Sequence, residues 1–321
     1  MHARANSQHP GTVIRLMAED GFELAATVFE PAGRARGVVL VNPGTAVPQR
    51  FFRKFAQYLS AGGLRVVTYD YRGIGLSRPA SLRGFEARMT DWAKDVRAAV
   101  GLVEGRWRNE PWLLVAHSFG AQVIGLVDEL RGATGAVLVG AQFGYLGHWP
   151  LTSRTLLRGL WGGVVPAVTA MAGYLPGSFG MGEDLPTGVA REWGAWCRHP
   201  DYVMGHVPGA RARFARFDVP AVSYSFTDDW YAPEPAVRAI HTALSGADLV
   251  HRRFAPSDVG LRSVGHFGFF RPSAEARLWS EARGWLQSAA AGAPSRMPSF
   301  APGSIPIDPA EVALDLAYGR D

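Results

Sequence analysis

The strongest constraint on the fold of this chain is a series of short, uninterrupted apolar runs, each too brief for a buried helix. They are residues 37–41 (GVVLV), 65–69 (RVVTY), 112–116 (WLLVA) and 135–139 (GAVLV). Such runs, rich in β-branched residues and without polar alternation, are expected of strands covered on both faces. Between them lie segments with helical spacing at 51–59, 85–103 and 119–130. A parallel pair of strands needs a crossover long enough to hold a helix. The alternation therefore predicts an α/β fold: a mostly parallel sheet covered by helices on both faces. Residues 12–17 and 22–29 alternate in polarity around Asp20-Gly21, so an antiparallel hairpin is expected to precede the parallel part.

The alternation stops after Gly140. Residues 141–217 are rich in glycine, proline and tryptophan and carry only helical fragments, which reads as a helical cap inserted into the core. The pattern resumes with strands at 221–226 and 249–254 and helices at 235–244 and 274–289, so the core is expected to comprise 1–140 and 218–289. Residues 290–321, rich in proline, serine and alanine, read as a loosely attached C-terminal arm with a short helix at 311–317. Within the cap, residues 160–182 carry no charge, a length that matches a membrane span. Gly162, Gly163, Pro166, Gly173, Pro176, Gly177 and Gly180 interrupt it, so a hydrophobic lid able to touch a lipid surface is expected rather than a sustained lipid-facing helix or an integral membrane segment.

The formal charge of +5 rests on arginine, Lys54 and Lys94 being the only lysines. No dense arginine run with interleaved aromatics occurs, which argues against nucleic-acid binding. Cys197 is the single cysteine, so the chain can form no internal disulfide and offers no cysteine-based metal cluster. Residues 1–20 lack the apolar stretch of a signal peptide, and a cytoplasmic location is expected. Gly73-Ile74-Gly75 is too short for a dinucleotide fingerprint, and no cofactor or metal is expected.

The residues that suggest chemistry begin with Ala116-His117-Ser118-Phe119-Gly120, set between a buried strand and an apolar helix. A strand turning sharply into a helix pushes the turn side chain clear of the sheet, and small residues two positions away let the two elements approach. Ser118 would also sit at a helix N-terminus, where negative charge is favoured; its plainer role there would be a helix cap. A serine hydroxyl is a weak nucleophile and needs a base, which in turn needs an orienting carboxylate. Downstream, Asp228-Asp229 follows the strand at 221–226, and His266 follows the strand at 249–254 within Val264-Gly265-His266-Phe267-Gly268. This is the order serine, acid, histidine, each on a loop after a strand. Asp228 competes with Asp229 for the acid role, and Asp258 is a weaker third. His117, His241 and His251 read as structural, whereas His148, His199 and His206 lie in the cap, where contact with substrate is open. Oxyanion donors are expected from the N–H of Phe119 and from the loop Asn42-Pro43-Gly44-Thr45-Ala46, with Thr45 first and Ala46 next.

Together these segments resemble the α/β-hydrolase superfamily, and most of all its monoglyceride-lipase and serine-aminopeptidase-like branch. Asn42-Pro43-Gly44 stands where that branch commonly has His-Gly. Asp70-Tyr71-Arg72-Gly73-Ile74-Gly75-Leu76-Ser77 is similar to the superfamily's structural D-x-R-G-x-G-x-S turn, and Ala116–Gly120 to its nucleophile elbow, with Ala116 in place of the usual glycine. Asp229-Trp230-Tyr231-Ala232-Pro233 is similar to the family's acid-plus-proline pattern, which selects Asp229. The resemblance implies a serine hydrolase with Ser118, Asp229 and His266 as triad. An uncharged cap suggests a carboxylic ester of small or medium lipophilic character as substrate. Acyl transfer, amide or peptide hydrolysis on the same triad, and non-catalytic ligand binding are the alternatives. Serine at the elbow separates the chain from dehalogenases and epoxide hydrolases of this fold, which place aspartate there.

Overall fold

The computed structural model describes residues 11–180 and 182–293. The expected helix at 311–317 and nearly all of the arm lie outside them. The main sheet has eight strands in the order β1-β2-β4-β3-β5-β6-β9-β10. They are β1 (Thr12–Met17), β2 (Glu23–Phe29), β3 (Val38–Asn42), β4 (Arg65–Tyr69), β5 (Trp112–His117) and β6 (Ala136–Val139), then β9 (Ala221–Phe226) and β10 (Leu249–Phe254). Two-residue strands β7 (Tyr174–Leu175) and β8 (Leu185–Pro186) form a separate ladder. β1 and β2 pair antiparallel, as do β2 and β4; every other pairing in the main sheet is parallel. This is the predicted hairpin followed by the predicted parallel sheet.

Alternate residues of the central strands feed two cores, because successive side chains point to opposite faces. Val38 and Leu40 of β3 join one core, together with α2 (Trp92–Arg106). Val39 and Val41 join the other, with α1 (Arg53–Ala61) and, at the far end of the chain, α9 (Ser280–Ala290).

Two helices are shorter than their periodicity predicts. The segment expected as a helix from 85 becomes helical only at Trp92. Before that point Thr90 donates both its N–H and its hydroxyl to Glu192, so residues 85–91 serve as a docking strap. The segment 119–130 yields only α3 (Phe119–Gln122) and a tight turn over Val123–Gly125. There the carbonyls that would continue a helix are taken by arginines: Arg213 donates to Gly125 O at 2.8 Å and Arg97 to Leu126 O at 3.2 Å.

Between β6 and β9 the chain forms α4 (Leu151–Gly159), α5 (Val165–Ala172), α6 (Thr187–Arg198) and α7 (Ala210–Arg216). Leu151–Ala172 is one continuous helical run of 22 residues, so Gly162, Gly163 and Pro166 do not interrupt it, whereas from Gly173 onward the segment is broken as expected. A single wide π-turn at Leu160–Val164 joins α4 to α5. That turn accommodates Pro166, whose missing N–H and bulky ring would otherwise break the helix. The run ends at Gly173, whose left-handed φ of +80° lets its N–H close back on Thr169 O. Beyond it, α8 (Glu234–Ala243) covers β9 near the sheet edge.

Candidate active site

Ser118 sits where β5 turns into α3, with φ +52° and ψ −115°. This conformation is strained for a residue with a Cβ. Neighbouring bonds hold it: Ser118 N–H donates to Val139 O at 2.9 Å, and Ala121 N–H to Ser118 O at 3.0 Å. A Cβ at Gly120 would collide with the Asn42 carbonyl, so β3 and α3 meet at this distance only over glycine. Ala116, in register with Asn42 and fully buried, fills the usual glycine position without obstruction. The Ser118 side chain makes no capping bond, so the serine is not serving as a helix cap.

His266 and Asp229 are joined at 2.8 Å through Nδ1 and Oδ2, both side chains almost wholly buried. The other oxygen of Asp229 accepts the N–H groups of Tyr231 and Ala232 at 2.9 and 3.0 Å. Asp228 holds the opposite side of the same junction, accepting the N–H groups of Val264 and Gly265 at 2.8 and 3.0 Å. Neighbouring carboxylates thus divide the work: Asp229 binds the imidazole and Asp228 binds its loop. Asp258 only folds back on Ala255 N–H. Gly140, directly after β6, has φ +59°, and a Cβ there would stand 3.0 Å from His266 Cε1 and 3.5 Å from Asp229 Oδ2. Its lack of a side chain leaves room for the pair.

His117 supports the histidine loop from beneath. Its Nε2–H donates to the His266 carbonyl at 2.9 Å, since a carbonyl can only accept. Burial, reinforced by the nearby His266, pushes His117 down to about 3 and keeps it neutral. The structural reading of His241 and His251 fits their bonds to Ser223 and Ser225 at 2.8 and 2.7 Å. His148, His199 and His206 do not line the pocket.

Ser118 and His266 open into one pocket. The Ser118 hydroxyl makes no hydrogen bond to the described residues, and Nδ1 is occupied by Asp229, which leaves Nε2 for chemistry. Serine and histidine often come into bonding distance only once substrate is bound. Thr45 lines the pocket and Phe119 is buried beside Ser118; neither N–H donates to a backbone carbonyl among the described residues. Ala46 is fully buried at φ +59°, and its carbonyl accepts Glu183 N–H at 2.9 Å. The Asp70 turn is structural, its carboxylate accepting Gln49 and Leu76 N–H groups. Among the described residues no cluster of three or more His, Cys, Asp or Glu stands in metal-ligating arrangement.

Gln142, Gly180, Trp193 and Tyr231 also line the pocket, and motif reading singled out none of them for it. Gln142, shortly after β6, obeys the rule that sites gather at strand ends, which could have flagged it. Gly180 and Trp193 carry no local signal.

Comparison with known proteins agrees with this architecture. Residues 33–179 match the family described as serine aminopeptidase, S33. A monoacylglycerol lipase from Mycolicibacterium smegmatis is 28% identical over 104 residues, 32% of this chain. That match spans only 36% of the lipase. A lipase in open form superposes with a TM-score of 0.60 at 18% identity, covering 87% of this chain and 99% of the other. A carboxyl esterase from Bacillus coagulans gives 0.55 at 13%, covering 87% and 98%. At such identities the structural likeness concerns the fold alone. By sheet order and these likenesses, the chain has the α/β-hydrolase fold, and its sequence resembles the serine-aminopeptidase and monoglyceride-lipase-like branch.

Proposed function

We propose that the protein is a serine hydrolase that cleaves a carboxylic ester, of small or medium lipophilic character, through an acyl-enzyme. The observation that carries this reading is a strained, uncapped serine sharing a pocket with a histidine whose second nitrogen is held at 2.8 Å by a buried carboxylate. In the proposed reaction His266 Nε2 takes the Ser118 proton as Oγ attacks the ester carbonyl. Asp229 holds the ring with Nε2 toward the serine and stabilises the imidazolium that forms. The N–H groups of Phe119 and Thr45 bind the oxyanion, each such donor being worth about 3 kcal/mol. Histidine then returns the proton to the leaving alcohol, and water, activated in the same way, releases the acid.

Replacing Ser118→Ala is expected to abolish turnover of a p-nitrophenyl ester and labelling by a fluorophosphonate, with the melting temperature retained. Turnover by the folded variant would refute the assignment. Competition between water and an added alcohol or amine, read in the products, separates hydrolysis from acyl transfer.

A second reading concerns where the reaction takes place. Leu151, Leu156 and Met171, on the 22-residue helical run, are each about three-quarters exposed, at 74%, 76% and 74%. Apolar side chains left exposed on this run fit an enzyme that works at a lipid surface. Sedimentation with phospholipid vesicles tests it, and a protein that stays in the supernatant overturns it.

A further inference from the structure

Among the described residues three non-glycine residues adopt positive φ: Ala46, Ser118 and Tyr202. The first two belong to the loops already described. Tyr202, at φ +49° and fully buried, belongs to the insertion. A tyrosine held in this conformation is strained, and such strain persists only where the surroundings enforce it.

The Tyr202 hydroxyl is the middle of a buried relay. Trp193 Nε1–H donates to it at 3.1 Å, it donates to Gln122 Oε1 at 2.9 Å, and Gln122 Nε2–H donates to the Gln142 backbone carbonyl at 2.8 Å. From the other side Phe143 N–H donates to Ala236 O at 3.0 Å. The relay thus fixes the Trp193 wall of the pocket and the Gln142 backbone together.

The Gln142 side chain contrasts with this. It lines the pocket beside Ser118 and His266, and the residue is only 6% exposed. Its Oε1 is shielded from solvent without a hydrogen-bond partner. Nor does its nitrogen donate to any described residue. A buried amide left unpaired is costly, and of the other side chains that line this pocket His117 also has a buried nitrogen, Nδ1, without a partner. Gln142 lines the pocket, so a bound molecule there is adjacent to this amide.

We infer that the Gln142 carboxamide selects substrate by binding a neutral hydroxyl or amide group carried by the ester close to the scissile bond. This rests on the serine-hydrolase reading and adds the substrate class to it. A carboxamide offers a donor and an acceptor on adjacent atoms, and rotation of its terminal torsion can turn either one to the ligand. A hydroxyl can accept from Nε2 and donate to Oε1. A plain alkyl ester of equal size leaves both unpaired, and a site with buried polar groups discriminates against such an analogue.

The test uses two isosteric pairs: n-butyl against 3-hydroxypropyl hexanoate for the alcohol side, and butyl 3-methylbutanoate against butyl 3-hydroxybutanoate for the acyl side. Wild-type protein is expected to favour the hydroxyl member of one pair by about ten-fold in kcat/KM. Gln142→Met, similar in shape but without the amide, is expected to bring that ratio to about one. Equal kcat/KM for both members of both pairs in the wild type, or a preference that survives the substitution, overturns the inference. Thermal unfolding checks the variant, and Gln142→Leu replaces it if it does not fold. Absence of turnover on all four esters, together with no fluorophosphonate labelling of folded wild type, would instead sink the hydrolase reading itself.

Discussion

The carboxyl end of the sheet and the helical run above it treat their side chains in opposite ways. At the sheet end charged and imidazole groups are tied by hydrogen bonds: buried Asp229 makes three through its side chain, exposed Asp228 two, and buried His117 spans to the His266 loop. Along α4 and α5, apolar side chains such as Leu156 and Met171 are left in water, while Trp161, Val165 and Thr169 hold the run down along one face. The first region uses buried hydrogen bonds to define atomic positions, as a reacting site requires. The second leaves several apolar side chains exposed. Hydrogen-bonded side chains are therefore concentrated at the strand ends, whereas exposed apolar ones gather on α4 and α5.

The sharpest test of this contrast separates the two adjacent acids. Asp229→Asn is expected to lower kcat on a chromogenic ester by about 10³ to 10⁴, because the histidine loses the partner that sets its tautomer. Asp228→Asn keeps an acceptor oxygen for the loop N–H groups and is expected to cost about ten-fold or less, as one weakened pair of charge-assisted bonds would. Equal losses would erase the division of labour. Next in size, Gly120→Ala drives a methyl group into the Asn42 carbonyl. Overpacking of this kind costs about 1–3 kcal/mol, a drop of several degrees in Tm by thermal unfolding. An unchanged Tm would show that the β3–α3 contact is looser than described. The smallest effect belongs to the insertion. Leu156→Ser combined with Met171→Ser is expected to change stability by no more than about 0.5 kcal/mol, since these side chains bury little. The same variant is expected to reduce sedimentation with vesicles; a large fall in Tm instead would place the stripe in the core.

Much of the fold was legible because strand and helix patterns repeat over a few residues. The runs at 37–41, 65–69, 112–116 and 135–139 became β3 to β6, and the hairpin signal at Asp20-Gly21 became β1 and β2. The helix at 85–103 was overestimated because Glu192 binds Thr90, and that at 119–130 because Arg213 and Arg97 take the carbonyls of Gly125 and Leu126, in each case a partner distant from the segment it binds. The helix across Pro166 was missed for the converse reason: a π-turn, which no local composition announces, absorbed the proline.

The same division holds for the site. An elbow is a local event, small residues around a turn between strand and helix, so Ser118 could be recognised from five consecutive letters. The order of acid and histidine after their strands could be read in the same way. By itself the sequence determined a parallel sheet with a hairpin, the position of the strained serine at the β5–α3 turn, and the loops that carry Asp229 and His266. The tertiary structure decided that Asp229 takes the imidazole while Asp228 takes the loop, that Gly140 makes room for them, and that the Gln142 amide reaches the pocket without a partner. The physical reason is range. Backbone conformation responds to neighbours a few residues away, whereas a hydrogen-bond partner such as the one His117 finds across 149 residues exists only once the chain has closed on itself.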